Sequence, residues 1–237
     1  MRPPRCRIGL LVPSNNSVLE PELWSRVPSG VAFYATRLPA RGDLTLEAVR
    51  RMETEIDRAV DLLVATRVSV LVYADMVTTF VMEDGWNEAT TAALARRAGV
   101  PCLTAWTALQ SALDALSVRR LAVGTPYPRQ IHALVRPFLE RRGFTVTGDG
   151  TLDVLGMADV PQLPMELVRG LAAGLDRTGA GAVVLLATDL PTFDVISPLE
   201  DELGVPVLTS NQTLLWDSLR QGGVPANVVN LGRLFLS

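Results

Sequence analysis

The sequence predicts an α/β fold of two pseudo-symmetric, Rossmann-like lobes, each built on a parallel sheet, with the functional site in the cleft between them. Two observations carry this expectation. Short, nearly all-apolar runs alternate with amphipathic stretches along the 237 residues, as parallel βα units require. And the motifs at the ends of those runs recur once, in the same order, in the second half.

Strands are predicted at 6–12, 31–38, 68–73, 100–104, 119–124, 144–153, 181–187 and 206–209, and helices at 45–66, 86–98, 106–117, 127–142, 164–177, 194–203 and 211–221. Runs such as Val68-Ser69-Val70-Leu71-Val72-Tyr73 and Ala182-Val183-Val184-Leu185-Leu186 are apolar on both faces, which suits a sheet covered by helices on both sides.

The repeat has three parts. Ile8-Gly9-Leu10-Leu11-Val12-Pro13-Ser14 is matched by Leu121-Ala122-Val123-Gly124-Thr125-Pro126-Tyr127, with Pro13 and Pro126 separated by 113 positions. Tyr73-Ala74-Asp75-Met76-Val77-Thr78 is matched by Ala187-Thr188-Asp189-Leu190-Pro191-Thr192 at 114, and Gly99-Val100-Pro101-Cys102-Leu103-Thr104 by Gly204-Val205-Pro206-Val207-Leu208-Thr209 at 105. A duplicated unit explains the near-constant offset. The first lobe is expected over 1–112 with 211–237 returning to it, the second over 113–210, and the Asn230-Leu231-Gly232-Arg233-Leu234 tail packed on the first.

Composition narrows the chemistry. All 22 basic residues are Arg, so there is no lysine for a Schiff base or a Walker-type phosphate loop. One histidine, His132, and two distant cysteines, Cys6 and Cys102, leave nothing from which to assemble a zinc or iron–sulfur site, so no metal or cofactor is expected. A net charge of −3 gives no footprint for nucleic acid or an anionic membrane. The apolar run at 8–12 is too short for a signal peptide and no run is long enough to span a bilayer, so the expected location is cytoplasmic.

In open parallel sheets, ligands bind beyond the carboxyl ends of the strands. Four motifs fall there: Pro13-Ser14-Asn15-Asn16, Asp75-Met76-Val77-Thr78-Thr79, Pro126-Tyr127 and Asp189-Leu190-Pro191-Thr192. Asp is a favoured N-cap residue, so either aspartate alone is equally well explained as a helix cap. The recurrence of a strand-end Asp in both halves favours a functional pair. The hydroxyls of Ser14, Thr78, Thr79, Thr125 and Thr192 suit a carboxylate ligand or a turn. Arg37 suits a carboxylate clamp or an ion pair, and His132, one turn into a predicted helix, suits packing.

On Ile8-Gly9-Leu10-Leu11-Val12-Pro13-Ser14-Asn15-Asn16, Val72-Tyr73-Ala74-Asp75, Pro126-Tyr127 and Leu186-Ala187-Thr188-Asp189, the chain resembles the aspartate/glutamate racemase superfamily, in its maleate cis–trans isomerase and arylmalonate decarboxylase branch. The resemblance runs nearly end to end. It implies a cofactor-independent enzyme of two lobes, a homo-oligomer such as a dimer, and a cleft that holds a small carboxylate. It also implies that Asn16 and Tyr127 contact substrate, and that Asp75 and Asp189 stand where relatives carry catalytic cysteines. Near Met157 the maleate isomerases have a further substrate-binding Asn.

Without a thiol at either position, covalent addition of cysteine to a double bond is unavailable. Two facing buried carboxylates cannot both ionise cheaply, so one holds a proton while the other acts as base. An Asp starts at a pKa of about 3.9, against about 8.5 for Cys, and so suits an already acidified C–H. Two such groups repel a dianion by on the order of several kcal/mol, which favours a neutral or monoanionic substrate. The expected activity is therefore an isomerase or lyase acting on a small carboxylic acid or carbonyl compound. Asp75 and Asp189 would be catalytic, with Pro13, Ser14, Asn16, Met76, Thr78, Tyr127 and Leu190 around the substrate. A hydratase or hydrolase in which an Asp activates water, and a non-catalytic small-molecule binding protein, are the alternatives.

Overall fold

The computed structural model describes residues 4–236, and among them eight strands form two four-stranded parallel sheets of the same order. In the first, β1 (Cys6–Pro13), β2 (Val31–Leu38), β3 (Val70–Tyr73) and β4 (Cys102–Thr104) lie in the order β2-β1-β3-β4. In the second, β5 (Arg120–Thr125), β6 (Thr145–Thr151), β7 (Ala182–Leu185) and β8 (Val207–Thr209) lie in the order β6-β5-β7-β8. The sequence repeat is thus a repeat of topology. Every residue of β3 and β7 is buried, as their all-apolar composition requires of strands covered on both faces.

The recurrent Gly-Val-Pro segment has a local cause in each half. Gly99 (φ 69°) and Gly204 (φ 73°) take the left-handed conformation that ends the preceding helix, and the Pro leads into a three-residue strand. Thr104 and Thr209 then cap the next helices through capping boxes with Thr107 and Gln212.

The helices are α1 (Leu19–Ser25), α2 (Leu46–Met52), α3 (Ile56–Val64), α4 (Val77–Val81), α5 (Trp86–Ala98), α6 (Ala105–Ala115), α7 (Arg129–His132), α8 (Val135–Arg141), α9 (Met165–Gly174), α10 (Phe193–Leu203) and α11 (Ser210–Gln221). Two of them, α1 and α4, fall outside the predicted segments; both are short and follow strand-end motifs. The single helix expected over 45–66 is two, joined by a 3₁₀ turn at Glu53–Glu55, because Glu53 turns inward to Tyr73 and Trp86. The helix expected over 127–142 also divides. Pro137 has no N–H to give the preceding turn, and it is accommodated in the first turn of α8.

The last helix of each half reaches into the other. Trp106 of α6 stacks edge-on with Phe138 (4.8 Å) and Phe144 (6.1 Å) of the second half. Helix α11 lies against β3, α1 and α6, and Gly222 at its end leaves no room for a side chain beside Cys6 of β1. The C-terminal tail is also tied to the second half. Glu200 of α10 accepts from the Arg233 and Val207 amides, and the Arg233 side chain donates to Gly204 O at 3.0 Å, so the tail is held on the second half.

Candidate active site

Asp75 lies just beyond β3 and Asp189 just beyond β7, and both line one narrow cavity, about 30 Å³ in volume, at the carboxyl ends of the two sheets. Asn15, Tyr127 and Thr188 supply the other polar groups in its wall. Ala40, Leu44, Met52, Met76, Met157 and Val160 supply much of the apolar surface. None of the lining residues is Arg or His, and among the described residues no cluster of His, Cys, Asp or Glu could hold a metal ion.

Asp75 is held by its own loop. Its Oδ1 accepts from Thr78 Oγ1 at 2.6 Å and from the Thr78 amide at 2.8 Å, so it does cap the turn into α4 while facing the cavity. Burial pushes its carboxyl up, and the donors at Thr78 and Val77 oppose that. Asp189 has fewer donors. Asn15 Nδ2 donates to its Oδ2 at 3.1 Å, and burial together with the charge of Asp75 pushes it up to about 7. Ala187, two residues earlier, has φ 148°, a conformation L-residues rarely adopt, and its amide donates to Ser210 Oγ at 3.1 Å.

The Tyr127 hydroxyl is buried with no hydrogen-bond partner. Burial and the charges of Asp75 and Asp189 hold its pKa well above the usual tyrosine range, so it is a neutral donor in the cavity wall. A loop from each half closes the space. Leu44 donates to Leu155 O at 2.8 Å, Met157 to Gly42 O at 3.0 Å, and Asp43 bridges to Gly156, so the segments after β2 and β6 clasp one another.

Of the residues singled out from sequence, Asp75, Asp189, Pro13, Met76 and Tyr127 come together in the wall. Ser14, Asn16, Thr78 and Leu190 do not line it. Ser14 exchanges two 2.9 Å bonds with Ala40, and Asn16 Oδ1 caps α1 at the Val18 and Leu19 amides while its Nδ2 donates to Thr188. Thr78 is spent on Asp75, and Leu190 is core. Thr79 and Thr104 both donate to Asn87 Oδ1, and Thr192 Oγ1 bonds Thr209 Oγ1. Thr125 bonds His132, whose other ring nitrogen meets Asp149 at 3.0 Å as a brace under β5 and β6. Arg37 is paired with Glu20 and donates to Asn16 O at 2.9 Å, outside the cavity. Asn15 and Thr188 are the polar wall residues not singled out beforehand. Both lie inside the strand-end motifs, next to Asn16 and Asp189.

The arylmalonate decarboxylase family model matches residues 8–235. A maleate isomerase of Nocardia farcinica is 31% identical over 238 residues, covering 96% of this chain and 94% of the relative. The arylmalonate decarboxylase of Bordetella bronchiseptica is 31% identical over 235 residues, covering 95% and 91%. The structure of a cysteine-to-serine mutant of the Nocardia farcinica maleate cis–trans isomerase, with a covalently bound succinylcysteine intermediate, matches with a TM-score of 0.92 at 30% identity, covering 97% of this chain and 98% of that one. Fold and relatives together define a cofactor-independent α/β enzyme of the isomerase or lyase type. The chain belongs to the arylmalonate decarboxylase family.

Proposed function

We propose that this protein performs acid/base chemistry on a small carboxylic acid or related carbonyl compound, with Asp75 and Asp189 as the opposed base and acid. The observation that carries the reading is the pairing of two buried carboxylates in one closed cavity whose wall has no basic side chain. At neutral pH the pair holds one proton. Asp75, with more donors, takes the ionised state and removes a proton from an acidified carbon. Asp189, raised to about 7, returns a proton from across the cavity. The unpartnered Tyr127 hydroxyl donates to the substrate oxygen on which negative charge develops.

Cys6 and Cys102 lie outside the cavity, so a covalent thiol intermediate of the kind seen in the Nocardia relative has no nucleophile here. In our reading the two aspartates hold the places of the family's catalytic thiols. The wall's charge sets the substrate class: neutral or singly charged, with an apolar body against Met52, Leu44 and Val160.

The test is incubation in D₂O with α-aryl carboxylic acids, arylmalonate monoesters and 2-oxo acids, following C–H exchange and loss of CO₂ by NMR. Asp75→Asn and Asp189→Asn should each lower the rate by roughly 10²–10⁴-fold with the fold intact by circular dichroism. Full activity in both variants would sink the proposal. Oxygen-18 uptake from water would replace it with hydration or hydrolysis, and a ligand that binds but is recovered unchanged would replace it with a binding role.

A further inference from the structure

Four oxygen-bearing side chains, Glu53, Tyr73, Thr78 and Asp75, are linked in a row. Glu53 Oε1 meets Tyr73 Oη at 2.5 Å, Tyr73 Oη meets Thr78 Oγ1 at 3.4 Å, and Thr78 Oγ1 meets Asp75 Oδ1 at 2.6 Å. Tyr73 and Thr78 are buried; Glu53, in the 3₁₀ turn between α2 and α3, is partly exposed. Trp86 Nε1 fixes the outer carboxyl by donating to Glu53 Oε2 at 3.1 Å, and its ring packs edge-on against Tyr73.

Three contacts need three protons, and the two hydroxyls supply only two. The third belongs to a carboxyl at one end. With the proton on Asp75, Asp75 donates to Thr78, Thr78 to Tyr73, and Tyr73 to an ionised Glu53. With the proton on Glu53, every bond reverses and Asp75 is ionised. The two states differ by one proton handed across three hydrogen bonds, with no charge left on Tyr73 or Thr78.

We infer that Glu53, Tyr73 and Thr78 form a proton relay through which Asp75 exchanges its proton with solvent while the cavity stays closed. The inference rests on the reading of Asp75 as a base. A proton taken by Asp75 passes to Thr78 Oγ1 as the Thr78 proton passes to Tyr73 Oη and the Tyr73 proton to the Glu53 carboxylate, which releases it to water. Nothing is oxidised or reduced. Burial, with the charge of Asp75, raises Glu53 to about 7, so the outer end both takes up and releases protons near neutral pH. The clasp between the Leu44 and Leu155 segments narrows the approach to the cavity, which makes a second route for the proton useful.

The test needs no substrate. A laser-triggered upward pH jump across the Asp75 transition, located beforehand by infrared titration of the whole unliganded protein, gives the rate at which the protonated-carboxyl band of Asp75 disappears; Asp75→Asn assigns that band. Tyr73→Phe should slow the Asp75 phase by roughly tenfold or more with its amplitude retained, because exchange is then left to the narrow approach through the cavity. Glu53→Gln should do the same, and it serves if Tyr73→Phe does not fold. Equal rates in the wild type and either folded variant would overturn the relay. If the relay variants are slow but no substrate exchanges its C–H, the relay stands and the catalytic reading fails. Where a substrate is turned over, the relay variants should also return more of the abstracted proton to product, lowering the deuterium content per turnover.

Discussion

Asn15 of the first half donates its side-chain amide to Asp189 of the second, 3.1 Å from Nδ2 to Oδ2, and with the same nitrogen to Met157 O at 2.9 Å. One half of the fold therefore tempers the other half's carboxyl, against the larger upward push of burial and of the Asp75 charge. The donor favours the ionised form, so Asn15→Leu should move the Asp189 midpoint above its present value of about 7. Carboxyl ¹³C NMR titration reads this directly. Stability should fall by about 1 kcal/mol as Met157 O loses a partner.

Cysteine chemistry separates this chain from its Nocardia relative. Cys6 is buried at the start of β1, and burial pushes the Cys102 thiol up to about 12, so neither is a ready nucleophile. A Cys6→Ser, Cys102→Ser double variant should keep turnover within about twofold of the wild type once folding is matched, and thiol-alkylating reagents should leave native activity unchanged. Stoichiometric inactivation by alkylation, with the label on either cysteine, would contradict the Asp-based mechanism.

Stability should fall as pH rises across neutrality. Glu22, Glu53 and Asp189 are each held near 7 by burial, against an ordinary carboxyl value of about 4. Between those values the folded chain binds more protons than the unfolded one. The stabilisation is complete below about pH 4 and is lost as pH rises through about 7. Urea unfolding should show lower stability at pH 8 than at pH 5, by a few kcal/mol at about 1.4 kcal/mol per pKa unit. Glu22→Gln should flatten that slope, because its carboxylate is buried among the Thr192 and Phe193 amides and Asn211.

The clasp can be opened at one atom. Leu44→Pro removes the amide that donates to Leu155 O, without touching the cavity's acids. Hydrogen exchange in 40–45 and 153–160 should quicken while the sheets stay protected, and substrate affinity should fall more than global stability.

Ala187 has φ 148° immediately after β7 and two residues before Asp189. Relief of strain worth about 1–3 kcal/mol outweighs the entropic cost of glycine, so Ala187→Gly should raise the melting temperature by a few degrees. No change, or a drop, would show that the strain is not there.

Much of this was legible because it repeats. The apolar runs gave all eight strands, the strand-end aspartates met in one cavity, and Gly-Val-Pro-x-Leu-Thr spelled out a helix stop, a strand and a helix start twice. What escaped the sequence was what depends on a distant partner. Asn15 and Asn16 are adjacent and chemically identical, yet one faces the cavity and the other caps α1; only the direction of the chain after Pro13 decides which. Glu53 sits where periodicity continues a helix, and it breaks that helix because Tyr73 and Trp86 wait on another element. The Glu200 carboxylate, which holds the Arg233 amide, is a partner of the same distant kind.

The exchange of α6 and α11 between the halves has a consequence for ancestry. A single half cut free would lack the helix that covers it and would carry one meant for a neighbour, with Trp106 exposed. Two copies of such a half could supply each other, which is a swapped homodimer. Joining them end to end would have preserved that embrace while freeing each copy's Asp to diverge. The two acids that line one cavity today, one held by Thr78 twice over and the other by Asn15, are what such a history would leave behind.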